Sequence, residues 1–138
     1  QDGVLSGNPH NEVNDRFPTG TLTLVVPGRN VVSMRYDLGR TFRLVHSTYS
    51  SSVSAQGRYW DLYCRIQGSP NPNGPWTNLI THRYRHNQGT ANGERSFASN
   101  NAVRYLKFEA EDTNGQAYNN RNYYTCNWSQ LNLKGYLQ

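Results

Sequence analysis

The spacing of apolar residues constrains the fold of this chain most strongly. Apolar residues alternate with polar ones over short runs, and no window repeats them at the three- and four-residue spacing of a helix. The clearest run is Tyr59–Gln67. The residues on its apolar face are Trp60, Leu62, Cys64 and Ile66. A strand points successive side chains to opposite faces, so such runs are typical of strands with one buried and one solvated face.

Turn residues bound six further runs that are predicted strands. These are Thr21–Val26, Val31–Asp37, Phe42–Thr48, Thr77–Tyr84, Val103–Glu111 and Asn127–Leu133. The segments between them are rich in Gly, Asn, Ser and Pro, which suit turns. Seven short strands at this spacing predict an all-β chain folded as an antiparallel β-sandwich. The 138 residues fit one domain, residues 1–138, in which residues 1–30 are the least defined part.

The core is expected to contain many aromatic rings. Leu, Ile, Val and Phe make up only 26 of the 138 residues, a share low enough to touch the compositional edge of disorder. The 17 aromatic residues and a formal net charge of only +5 argue against disorder. The rings expected to complete the core are Trp60, Trp76, Trp128, Phe42, Tyr105 and Phe108.

Three connections are longer than turns require: Ser47–Arg58, Arg85–Asn101 and Asn114–Cys126. Long loops on a rigid β frame commonly carry binding function. These loops combine rings, which can stack on the C–H face of a sugar, with planar groups that can hydrogen-bond to its hydroxyls. The candidate binding residues are His46, Tyr49, Arg85, Asn87, Asn92, Arg121, Tyr123 and Tyr124. Four tyrosine rings in these loops are interpreted as lying outside the core: Tyr49, Tyr118, Tyr123 and Tyr124.

Motifs of other function classes are missing. The sequence has no nucleophile elbow, phosphate loop, zinc-protease motif or dinucleotide fingerprint, so we do not predict an enzyme. Glu109 and Glu111 share one face of a strand and are interpreted as solvated carboxylates. His82 and His86 have a ligand-like spacing, but the flanking Arg83 and Arg85 disfavour a divalent ion there.

The cations are 12 Arg and 2 Lys. This excess of Arg favours a ligand-binding surface, because the guanidinium hydrogen-bonds carboxylates, phosphates and vicinal hydroxyls. A sequence pI of about 9.4 raises nucleic acid as a partner, but a charge of +5 with so little Lys argues against it. No apolar run is long enough to span a membrane. The residues leave open whether Cys64 and Cys126 form a disulfide.

Four segments, in order, resemble the discoidin, or coagulation-factor type C, family. They are Tyr36–Leu44 with its Asp-Leu-Gly turn, the Tyr59–Ser69 strand leading to Asn73–Thr77, the Val103–Ala110 strand and the closing Trp128–Tyr136 strand. The resemblance covers about residues 31–138. It implies a galactose-binding-like jelly roll and, for the sugar-binding members, a secreted carbohydrate-binding module or lectin.

The resemblance also implies site residues. In the sugar-binding branch, a His followed three residues later by an aromatic is matched by His46 and Tyr49, and an Arg followed by an Asn is matched by Arg85 and Asn92. Tyr123 or Tyr124 would supply a stacking ring. The family's calcium-associated Glu is replaced by Gln130, so a structural Ca²⁺ stays only an alternative. The acidic residue that often hydrogen-bonds an axial sugar hydroxyl in the family has no clear counterpart near Arg29.

The favoured interpretation is a non-catalytic, extracellular glycan-binding domain. The alternative is an adhesion or self-assembling structural subunit, either a homo-oligomer or a binder of cell-surface proteins, because Tyr and Arg are also enriched at protein interfaces.

Overall fold

A computed structural model describes residues 13, 21–27, 31–54, 61–85, 90–98, 101–113 and 123–138. These residues form seven strands. They are β1 Leu22–Pro27, β2 Val31–Ser54, β3 Asp61–Ser69, β4 Thr77–Arg85, β5 Thr90–Ser96, β6 Ala102–Asp112 and β7 Tyr123–Leu137. Every strand pairing is antiparallel. Within the described residues, no helix has the length and apolar character needed to cross a membrane.

A bend in β2 makes this strand part of two sheets. From Val31 to Asp37 it pairs with β6, its register shifts between Asp37 and Phe42, and from Phe42 to Ser54 it pairs with β7. Gly39 lies in the bend with a φ of 78°, a left-handed conformation that glycine adopts without steric cost. The Asp37 carboxylate accepts the Gly39 amide hydrogen at 2.7 Å and closes the turn. The sequence predicted two strands here, and the structure has one strand bent between them.

The bend divides the strands into two layers. The seven strands are hydrogen-bonded in one series, β1-β7-β2-β6-β3-β4, with β5 also paired to β2. We call the layer of β4, β3, β6 and the first half of β2 the first sheet, and the layer of β1, β7, β5 and the second half of β2 the second sheet. The predicted antiparallel β-sandwich is therefore confirmed. The inward residues of both layers share one core, with Leu62 and Ile66 from the first sheet and Leu24, Trp128 and Leu133 from the second.

The core contains more leucine than the sequence analysis expected. Seven leucines are buried among the described residues, against four aromatic rings, Phe42, Tyr84, Phe108 and Trp128. Trp76 and Tyr105 were wrongly assigned to the core, because the cations Arg35 and Lys107 lie over the Trp76 ring and Arg104 over the Tyr105 ring. Trp60 lies outside the described residues.

Paired charges cover the outer face of the first sheet. Arg65 donates two hydrogen bonds to Glu109, at 3.0 and 2.6 Å, and also bonds Glu111. The two carboxylates do face outward, but their side chains are only 14% and 31% exposed, so the expectation of free, solvated carboxylates was wrong. Burial acts to lower the pKa of Arg65, but the hydrogen bonds and charges of both carboxylates outweigh burial and raise it.

The question of cysteine pairing is answered by a disulfide between Cys64 and Cys126. Cys64 lies on β3 of the first sheet and Cys126 on β7 of the second, and both are fully buried. The bond therefore joins the two layers through the core, between β3 and β7, which do not pair with each other in the described part of the chain.

Removing this cross-link is expected to destabilise the domain. The cysteines are 62 positions apart, and a loop of that size loses enough unfolded-state entropy to contribute about 4 kcal/mol in the chain-entropy model. Urea denaturation should show this loss for a variant carrying Cys64→Ala and Cys126→Ala. A reductant should lower the midpoint of the parent and leave that of the variant unchanged. Equal midpoints for the parent with and without reductant would contradict the prediction.

Candidate functional site

Three of the connections adjoin strand ends that lie at the same end of the sandwich. Residues 55–60 join the end of β2 to the start of β3, residues 86–89 join β4 to β5, and residues 114–122 lie between β6 and β7. The first two connections are short and pass from one sheet to the other, so the strand ends that they join lie at the same end. In the second sheet, Ser54 lies opposite Thr125 and Ser52 opposite Thr90. In the first sheet, Asp61 lies opposite Arg85 and Leu62 opposite Asp112.

We call this end the strand-end surface. It is defined by Ser54, Asp61, Arg85, Thr90, Asp112 and Tyr123. The disulfide lies close to it, because Cys64 is three residues after Asp61 and Cys126 three residues after Tyr123. The two sheets are thus held together just below the ends from which the connections emerge.

Four predicted site residues have a defined backbone position near this surface. Arg85 is the last residue of β4, and Asn92 lies in β5 opposite Ser50. Tyr123 and Tyr124 begin β7, opposite Pro27 and Val26. The sequence analysis placed three of these residues in loops, but the structure places them in strands: Asn92, Tyr123 and Tyr124. Asn87 and Arg121, and with them His86 and Tyr118, lie outside the described residues.

The structure does not bring His46 and Tyr49 together. Both lie in β2, whose pairing with β5 is regular from His46 to Ser52, so an interval of three residues places them on opposite faces. His46 lies on the outer face of the second sheet, where its Nε2 is 2.9 Å from a carboxylate oxygen of Glu94. Tyr49 points into the sandwich and packs against the core.

Tyr49 closes the open side of the sandwich. Its ring lies 5.7 Å from the ring of Trp128 on β7 and 5.1 Å from that of His82 on β4. Its hydroxyl and the His82 Nε2 are 2.8 Å apart and share a hydrogen bond. Burial raises the pKa of Tyr49 and lowers the pKa of His82, so the neutral forms are favoured. The expectation that no core needs the Tyr49 ring was wrong.

Gly93 makes room for this ring. It lies opposite Tyr49 in the β2–β5 pairing, and a Cβ atom at this position would overlap the Tyr49 hydroxyl and the adjoining ring carbon. A residue without a side chain is therefore needed where the ring crosses β5.

A recess of about 220 Å³ opens beside Tyr49, between the edge strands β4 and β5. The residues that line it are Tyr49, Asn78, Leu79, Ile80, Thr81 and Arg95. Leu79 and Ile80 are buried and form an apolar floor, whereas Arg95 is exposed. The recess thus offers one cation, neutral hydrogen-bonding groups and an apolar surface.

The sequence analysis missed Arg95 and Thr81 as site residues. β5 contains no large apolar residue, so no alternation marked Arg95 as part of a strand. Thr81 follows two buried residues in a run that was recognised as a strand, but nothing in the sequence indicated that β4 faces an open cleft. His82 was considered only as a metal ligand together with His86.

The described ranges contain no group of three or more His, Cys, Asp or Glu side chains that could hold a metal ion. Gln130, which stands where the resembled family has its calcium-associated Glu, is exposed on β7 and has a φ of 52°. A structural Ca²⁺ remains an untested alternative.

Comparison with known proteins finds relatives by structure only. No protein-family description and no curated protein sequence matches the chain. A structure described as "CBM4 structure and function" superposes with a TM-score of 0.50 and 12% identity over 86% of this chain and 73% of that one. The Yersinia pseudotuberculosis-derived mitogen superposes with a TM-score of 0.48 and 10% identity over 79% of this chain and 82% of that one. The CBM32 of AlyQ, in complex with 4,5-unsaturated mannuronic acid, superposes with a TM-score of 0.44 and 14% identity over 96% of this chain and 95% of that one.

These likenesses concern the fold alone, because all the identities are low. The CBM4 structure, a carbohydrate-binding module, shares the β-sandwich architecture of this chain. Membership of the discoidin family, which the sequence motifs suggested, stays a prediction.

Replacing Gly93 tests the position of Tyr49. We expect Gly93→Ala to destabilise the domain by about 1–3 kcal/mol, the usual cost of overpacking, because Trp128 and His82 hold the ring that must move. In a Tyr49→Ala background the same substitution should cost much less. A double-mutant cycle from urea denaturation measures this coupling, and additive effects would contradict the packing described here.

The low pKa of His82 predicts a dependence of stability on pH. Because burial lowers this pKa below the ordinary 6.5, the unfolded chain binds a proton more readily than the folded one. Stability should therefore be complete above the unfolded pKa and should fall as the pH drops from about 7 to 5. His82→Gln keeps the hydrogen-bonding capacity and removes the titration, so its urea midpoint should fall less over that window. Equal losses for parent and variant would refute the assignment.

Proposed function

We propose that this domain is a non-catalytic, extracellular glycan-binding module that binds through its strand-end surface and the adjoining connections. The observation that carries the proposal is the topology: the strand ends that flank the connections containing Asn87 and Arg121 lie at one end of the sandwich, and Arg85 and Tyr123 are among them. Arg, Asn and Tyr side chains supply the hydrogen bonds and the stacking surfaces that sugars need.

Two further observations support this function. The fold is shared with a carbohydrate-binding module, which shows that such a sandwich can carry a glycan site. The disulfide between the sheets is suited to an oxidising compartment, as expected for a secreted domain. His46 is placed outside the proposed site, because it faces away from Tyr49 and is held by Glu94.

A second candidate function is contact with a protein partner, in adhesion or self-assembly. It is favoured by the outer face of the first sheet, where Tyr63 lies between Arg65 and Arg83, and Trp76 lies beneath Arg35. Tyr, Trp and Arg are enriched at protein interfaces. This face adjoins the strand-end surface, because Arg83 bonds Asp61, but Trp76 and Arg35 lie toward its other end, so variants at these two positions test the second function independently.

Binding to a glycan array tests the proposed function. A shallow site of this kind should bind its best glycan with a Kd on the order of 0.1–1 mM. Arg85→Ala and Arg121→Ala should each weaken that binding. Arg40→Ala is the matched control, because Arg40 is an exposed arginine in the β2 bend at the opposite end of the sandwich. Absence of binding to any glycan, or equal affinity of all three variants, would overturn the proposal.

A further inference from the structure

We propose that the recess between β4 and β5 binds the carboxylate of an acidic sugar, with Arg95 as the residue that recognises the charge. This inference rests on the proposed glycan binding and names the class of sugar. It places a sugar contact on the side of the sandwich, between the first half of β4 and the last residues of β5, away from the strand-end surface.

The charges around the recess favour an anionic ligand. Arg95 is its one charged lining residue, and no Asp or Glu is part of the described lining. Within the described ranges Arg95 forms no ion pair. Its neighbour Glu94 is bound to His46 on the outer face, and alternation along β5 places Arg95 on the other face. The guanidinium therefore keeps its planar fork of donors available for a carboxylate.

The neutral groups of the recess suit the remainder of a sugar. Thr81 and Asn78 line the recess at its rim, because Thr81 lies opposite Arg65 on the outer face of the first sheet and the Asn78 side chain accepts a hydrogen bond from Gln67 on that face at 2.6 Å. The Tyr49 hydroxyl is held in place by His82. Leu79 and Ile80 provide the apolar floor against which the C–H face of a ring can pack.

The size of the recess limits the ligand. Its volume of about 220 Å³ is below the roughly 300–1,000 Å³ of pockets that enclose drug-sized ligands. One sugar residue is therefore the unit that it accommodates. Because the recess is open to solvent, any further residues of an acidic glycan would continue outside it.

Titration with matched pairs of sugars tests the inference. The probes are the methyl glycosides of glucuronic and galacturonic acid and those of glucose and galactose, which lack the carboxylate. We expect at least one uronide to bind more tightly than its neutral counterpart, with the amide signals of Thr81 and Arg95 shifting in NMR spectra. Arg95→Gln should weaken uronide binding about tenfold, as expected for a charge-assisted hydrogen bond at an exposed site, and should weaken binding of the neutral counterpart less.

Two controls separate charge from geometry. Arg40→Gln removes the same charge far from the recess and should leave uronide binding within about twofold of the parent, whereas Arg95→Lys keeps the charge but loses the fork and should fall between parent and Arg95→Gln. This inference is overturned, and the proposed function stands, if neutral glycans bind and uronides bind no more tightly than their neutral counterparts. The same holds if Arg40→Gln weakens uronide binding as much as Arg95→Gln does. If no glycan of a broad array binds, both are overturned.

Discussion

The bend of β2 is the constraint on which the rest of the structure depends. One strand serves both sheets because Gly39 adopts a positive φ and Asp37 caps its amide. Arg104 holds that cap with two hydrogen bonds to Asp37, which together with the Gly39 amide keep the pKa of the carboxyl below its ordinary value. The bend folds a continuous series of paired strands into two layers, and it leaves β4 and β5 as edge strands that face each other.

Tyr49 shows how this architecture couples stability to the candidate site. Its ring packs on Trp128 and its hydroxyl bonds His82, so it joins the two layers at their open side. The same residue forms one wall of the recess that contains Arg95. A substitution of Tyr49 would therefore alter packing and binding together, which makes Arg85 and Arg95 the more informative positions for questions of binding.

The fold could be predicted where burial leaves a periodic pattern. β3 and β6 alternate between buried and partly buried residues, and both were predicted to within a few residues of their observed limits. β5 was missed because the sequence Thr90–Ser96 has no large apolar residue and forms a strand by pairing with β2. The extension of β2 to Ser54 was missed for a similar reason, since four of its six added residues are serines and the buried Ser51 gives no apolar signal between Tyr49 and Val53.

The candidate site could be predicted only in part, because residue types do not reveal the face of a strand on which they lie. The pattern of His46 and Tyr49 matched a family motif, yet the regular β2–β5 pairing places them on opposite faces. The rings Trp76 and Tyr105 were expected in the core, but cations hold them on the outer surface. The prediction of three long loops was wrong for the first two, because residues 47–54 belong to β2 and Thr90–Ser96 forms β5.

Mapping a bound glycan onto the domain by amide chemical shifts tests the central claim most directly, namely that glycans bind at the strand-end surface and the adjoining connections. The account predicts that the largest shifts cluster at the strand-end surface, around Asp61, Arg85 and Tyr123, and extend along β4 toward the recess. Shifts centred on the opposite end, at the turn from Pro70 to Trp76 or at the β2 bend, would contradict it.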